Sequence, residues 1–177
     1  YPQPPATPLS GWQLVNQDLS ATLRNVSPRF GVFRLHVYGR LRLRARDLDN
    51  LNLTMGSDNG LRGFAPRSFP VGGIGRARYG TNVELRTTAL NLWTLHVGAV
   101  AFYDGGDAPT SLLHSAGAAG SSVEVPPTWH QDVGVGLRIL FPQFNRDVLR
   151  LDLAFPLEAP LTSAYAPRFS VEFGQAF

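Results

Sequence analysis

From Phe33 to Arg44 the chain alternates between apolar and polar side chains. Phe33, Leu35, Val37, Gly39, Leu41 and Leu43 hold one parity; Arg34, His36, Arg40, Arg42 and Arg44 hold the other. Successive side chains of an extended chain point to opposite faces, so the pattern specifies a strand apolar on one face and cationic on the other. A solvated soluble sheet satisfies it. So does a strand crossing a bilayer at a tilt, which needs about ten residues.

The alternation recurs downstream. Asn82, Glu84 and Arg86 oppose Val83 and Leu85; Thr94, His96, Gly98 and Asp104 oppose Leu95, Val97, Ala99 and Ala101. Asp132, Gly134, Gly136 and Arg138 oppose Val133, Val135, Leu137, Ile139 and Phe141. Arg150 and Asp152 oppose Leu149, Leu151, Leu153 and Phe155, and Ser170, Glu172 and Gly174 oppose Phe169, Val171 and Phe173. Weaker strands are expected over 11–24 and 49–56, giving about eight in all. No segment shows helical periodicity. The fold class is all-β, an antiparallel transmembrane β-barrel.

Link lengths sharpen this. Short turns are expected near 45–49, 88–92 and 142–147, and long links at 57–80, 105–130 and 156–167. One short-turn rim and one long-loop rim is how bacterial outer-membrane barrels are built. Residues 1–10 are proline-rich and read as a linker or tail, leaving 11–177 as the barrel domain. With no run of about 18 apolar residues, a transmembrane helix is excluded. The chain has no cysteine, and its net charge of +3 does not argue for nucleic acid.

Within the first long link lies Gly60-Leu61-Arg62-Gly63-Phe64. It resembles the arginine-glycine-aromatic signature of BamA-type outer-membrane assembly factors, the bacterial surface antigen superfamily. Further segments follow in that family's order: the Gly-rich 71–75, Asn82 to Arg86, Val100 to Gly106, Val133 to Arg138, Leu149 to Ala154 and Phe173 to Phe177. The resemblance covers about residues 50 to 177. It implies that the loop folds into the barrel and that Arg62 meets Glu84 and Asp104, which parity places on the inward face. A guanidinium forks onto a carboxylate as lysine does not. Gly63 permits close backbone approach and Phe64 packs beneath the loop. Phe169, Val171, Phe173, Gly174 and Phe177 resemble a terminal recognition strand, although Gln175 breaks its alternation.

The resemblance further implies a function in inserting or translocating polypeptides at the bacterial outer membrane. Its partners would be outer-membrane lipid and client polypeptides. Barrels of that family are larger than eight strands, and an eight-stranded barrel is filled by its own side chains. The Arg62 loop therefore calls for a wider lumen, closed by a second copy or by further strands. A small closed barrel with the loop outside is the other arrangement.

Other chemistry is weaker. A passive anchoring or pore barrel remains an alternative. His114-Ser115 suggests a small-barrel lipid hydrolase, but neighbouring side chains do not make a nucleophile and its oriented base. The expectation is no enzyme, no cofactor and no metal site. His36 and His96 read as satisfied lumen groups, and Asp104 to Asp107 as a turn with some capacity for a cation. The inward arginines 34, 40, 42, 44, 138 and 150 favour anions in a wide pore, unless Asp132, Asp152, Glu84 and Glu172 neutralise them.

Overall fold

Period-two patterning becomes a single antiparallel sheet. The computed structural model describes residues 17–46, 53–70, 75–109, 128–143, 147–158 and 166–175. Its strands are β1 (Gln17–Val26), β2 (Phe33–Arg46), β3 (Ala77–Thr87), β4 (Leu90–Leu92), β5 (Leu95–Asp107), β6 (His130–Leu140), β7 (Asp147–Pro156) and β8 (Arg168–Gln175). The order is β1-β2-β3-β5-β6-β7-β8, with β4 pairing only β5. Each long strand thus lies beside its neighbours in sequence, as short connections favour.

The short β4 is an extension of β3 rather than a separate layer. Both lie antiparallel to β5, and Thr88 and Ala89 interrupt them. There the Thr87 hydroxyl accepts from the Ala99 amide at 2.9 Å, in place of a ladder bond. The reversal falls at Trp93 and Thr94, not across 88–92 as expected.

No strand forms over the described part of 49–56. Leu53 and Met55 are buried in a loop, and Met55 makes only an isolated bridge to Phe69. Their one-sided burial mimics strand parity. The link from β2 to β3 is therefore one long excursion; β2 continues to Arg46, into the short turn expected at 45–49, and the rest of that turn lies outside the described residues. Long and short links now alternate strictly along the meander.

Within the described residues β1 and β8 do not pair, so the sheet is open. The small closed barrel with an external loop is not the arrangement observed. A cavity of about 370 Å³ has walls from Tyr38 and Arg40 on β2 and from Asp152 and Glu172 on β7 and β8, with Arg62 of the loop beside them. The sheet curls around its polar face. The other face is apolar and exposed, from Leu19 and Leu23 on β1 to Phe169 and Phe173 on β8.

Candidate functional site: an arginine loop on the polar face

The β2–β3 excursion folds back over the sheet. Its described part is fastened at both ends, where the Leu53 amide donates to the Gly75 carbonyl and Met55 exchanges backbone bonds with Phe69. A 3-10 turn, Ser57–Asn59, leads into Gly60, whose φ of +109° is left-handed. Glycine alone takes that conformation without strain from a Cβ. The Asn82 side-chain Nδ2 donates to the Gly60 carbonyl at 2.8 Å, pinning the turn to β3.

This presents Arg62 to carboxylates from three strands. Its Nε and Nη2 donate to the two oxygens of Asp104 at 2.6 and 2.7 Å, a bidentate fork. Nη1 donates to Glu84 at 2.8 Å and to Asp152 at 3.2 Å. The guanidinium carbon also lies 3.5 Å from the Phe102 ring centroid, a cation–π contact. Burial opposes a charged guanidinium, but Asp104, Glu84 and Asp152 outweigh it and hold the Arg62 pKa above its ordinary value.

Gly63 approaches more closely than any other residue type permits. Its amide donates to Asp132 at 3.0 Å. A Cβ there would lie 2.7 Å from the Asp132 Cβ and 3.1 Å from the Pro156 nitrogen. Phe64 is buried with Met55, Leu61, Phe69 and Ala108 in a small core between loop and sheet. It meets Phe69 edge-on at 5.2 Å, and Phe69 stacks on His130 at 3.5 Å. Apolar packing anchors the loop; the ionic contacts fix its direction.

The structure thus brings Arg62, Gly63, Phe64, Glu84 and Asp104 together. Asp132, Asp152 and Phe102 belong to the same site and were not assigned to it from sequence. Parity already put Asp132 and Asp152 on this face. Register adds that Glu84 lies opposite Phe102, Asp104 opposite Asp132, and Asp132 opposite Pro156. Beyond the loop, Glu84 also holds Arg86 at 2.7 Å, and Asp152 holds Arg138 at 2.5 Å.

Other expected sites separate. Asp104 and Asp107 point to opposite faces of a continuing strand rather than lining a turn. Asp107 accepts from the Ala108 and Thr128 amides at 2.7 and 2.8 Å, so the pair does not converge on a cation. His96 meets the Asn91 side chain, whereas the buried His36 Nδ1 has no hydrogen-bond partner and is not satisfied as expected. Phe169, Val171 and Phe173 lie on the exposed face of β8, with Gly174 on the same strand. Phe177, His114 and Ser115 lie outside the described residues. Of the arginines, Arg42 and Arg44 share Asp18 on β1 at 2.6 Å each.

Comparison with protein-family models, with curated proteins and with solved structures finds no match to this chain.

Proposed function

We propose that this chain is part of an outer-membrane β-barrel of the BamA-type superfamily, which assists insertion or translocation of polypeptides at the outer membrane. The observation that carries the reading is the loop arginine, held on the polar face by carboxylates from β3, β5 and β7. Placing a guanidinium there costs desolvation that four oxygens offset. The cost is intelligible where a loop must be held inside a lumen.

The opposite face supports a lipid-facing reading. Its middle is aliphatic, with Val135 and Leu137 exposed. Near the long loops, Tyr79 stacks on Trp129 at 5.9 Å, and the Trp129 indole donates to the Tyr103 hydroxyl at 3.1 Å. At the other end the Trp93 side chain is fully exposed. From Trp93 to Tyr103 the chain covers about 33 Å, or about 25 Å of height at a tilt of about 40°. Aromatic girdles flank an apolar band of about that height in outer-membrane barrels.

In this reading the open edges are closed in the membrane by a second copy or by further strands, because unpaired backbone groups in lipid cost several kcal/mol each. β8 forms one side of a weak seam. A client strand adds to it through backbone hydrogen bonds, with no covalent intermediate and no nucleotide.

The test is reconstitution into vesicles, followed by the folding rate of an unfolded barrel substrate. An increased rate that Arg62→Ala abolishes supports assembly. Insertion without any increase refutes the assembly function and leaves a passive barrel.

A further inference from the structure

The two carboxyl groups under the loop are served unequally. Asp104 and Asp132 are both fully buried and lie directly opposite each other. Asp104 receives Nε and Nη2 of Arg62 at 2.6 and 2.7 Å, and the Asn82 side-chain Nδ2 at 2.8 Å. Asp132 receives one donor, the Gly63 amide on Oδ2 at 3.0 Å, and its buried Oδ1 has no hydrogen-bond partner. An ionised carboxyl group can only accept, and its two oxygens offer about four lone-pair sites. Burying one with so few of them filled is costly.

Charge matching points the same way. In the ion pairs of the site, Glu84, Asp104 and Asp152 are matched by Arg62, Arg86 and Arg138. An ionised Asp132 is a fourth anion without a cation of its own. The groups facing it from each packed element do not supply one. β5 presents Asp104, and β7 presents Pro156. The loop presents Arg62, whose fork is on Asp104. On β6 itself His130 lies two residues away on the same face, but its Nδ1 is 3.4 Å from Glu158. Glu84 and Asp152, further along the face, add negative charge. The Asp104 and Asp132 side chains are within hydrogen-bonding reach of each other, a contact that two carboxyl groups can use only when one carries a proton.

We propose that Asp132 is a proton-binding site, held as the neutral acid and sharing its proton with Asp104. The proton is then a structural part of the loop's seat. Its loss sets two like charges against each other beneath Gly63 and loosens the loop at that point. The inference concerns the geometry of the Arg62 site and holds whether or not the chain assists polypeptide assembly. Its pH dependence has a definite sign. The folded chain keeps a proton that the unfolded chain releases above the ordinary aspartate range, about pH 4. The unfolded state binds fewer protons there, so the contribution of Asp132 to stability falls as pH rises.

Asp132→Asn tests this, because the amide keeps an acceptor for Gly63 and cannot ionise. Urea midpoints of wild type and variant are compared for the refolded chain in neutral detergent, at about pH 4 and about pH 7. The difference should shift in favour of the variant as pH rises. Infrared spectra give an independent readout: the carbonyl stretch of a protonated carboxyl group should persist in wild type at neutral pH. It should be lost in Asp132→Asn and kept in Asp107→Asn, whose native carboxylate is filled by two backbone amides. Asp132→Ser takes the place of Asp132→Asn if that variant does not fold. A midpoint difference that stays constant with pH, or shifts against the variant, overturns the proposal. So does a wild-type spectrum without the acid band at neutral pH, or a band that survives the Asp132 substitution.

Discussion

Asp104 and Asp132 face each other directly across the β5–β6 ladder, and neither is exposed to solvent. Consecutive loop residues serve them: the Arg62 side chain forks onto Asp104, and the Gly63 amide donates to Asp132. Two buried carboxyl groups on adjacent strands are tolerable only with such donors. The loop and the sheet beneath it therefore depend on each other.

Removing Arg62 leaves Asp104, Glu84 and Asp152 without their shared cation. Breaking a buried ionic group in this way costs about 3–5 kcal/mol. Arg62→Ala should lower the urea midpoint of the folded chain accordingly, and Arg62→Lys should fall between it and wild type. With Asp104→Asn or Glu84→Gln the losses should be non-additive by about 1 kcal/mol or more. Additive losses would exclude the clamp.

Gly63→Ala places a methyl group against Asp132 and the Pro156 backbone. Overpacking of this kind costs about 1–3 kcal/mol. Gly31→Ala, which meets nothing within 4 Å at a φ of +61°, supplies the comparison because only backbone strain acts there. Gly63→Ala should be the more destabilising of the two by equilibrium unfolding. The reverse order would show that the loop does not seat against Asp132.

Phe102 lies beneath the Arg62 guanidinium. Phe102→Leu keeps an apolar side chain and removes the aromatic face, at a cost of about 1–2 kcal/mol on top of any packing change. That electrostatic part should disappear in an Arg62→Ala background. A double-mutant cycle measures it directly, and a coupling of zero would make Phe102 simply a core residue.

Val135 is exposed on the apolar face and Ser170 lies on the polar face of β8. If the apolar face meets lipid, Val135→Arg should cost about 2–4 kcal/mol of folding stability in vesicles. Ser170→Arg, facing the wet side, should cost much less. Equal, small effects would point to a sheet whose two faces both meet water.

Period-two alternation was legible because the side-chain period of a strand is two, which allots faces without reference to partners. It placed Glu84, Asp104, Asp132 and Asp152 together on the polar face by residue number alone. It also misread Leu53 and Met55, because a loop that buries one side of an extended backbone writes the same pattern. Thr88 and Ala89 were mistaken for the hairpin turn for a related reason: a local interruption of the strand resembles a reversal.

Register was not legible in that pattern. Sliding a strand by two residues keeps every face and changes every neighbour. The meeting of Arg62 with Asp152 depends on the successive ladders from β3 through β5 and β6 to β7, and on the loop's own fold. Phe102, an aromatic ring at a polar-parity position, made sense only with the Arg62 guanidinium above it and Gly134 making room beside it.

The sequence by itself determined an antiparallel β chain with one apolar and one charged face, because alternation is a local property. It also marked Arg62, Glu84 and Asp104 as partners through the resemblance of its loop. Tertiary structure alone decided that Asp132, Asp152 and Phe102 complete that site. Those relations are sums of registers across strands far apart in the chain, and no single segment contains them.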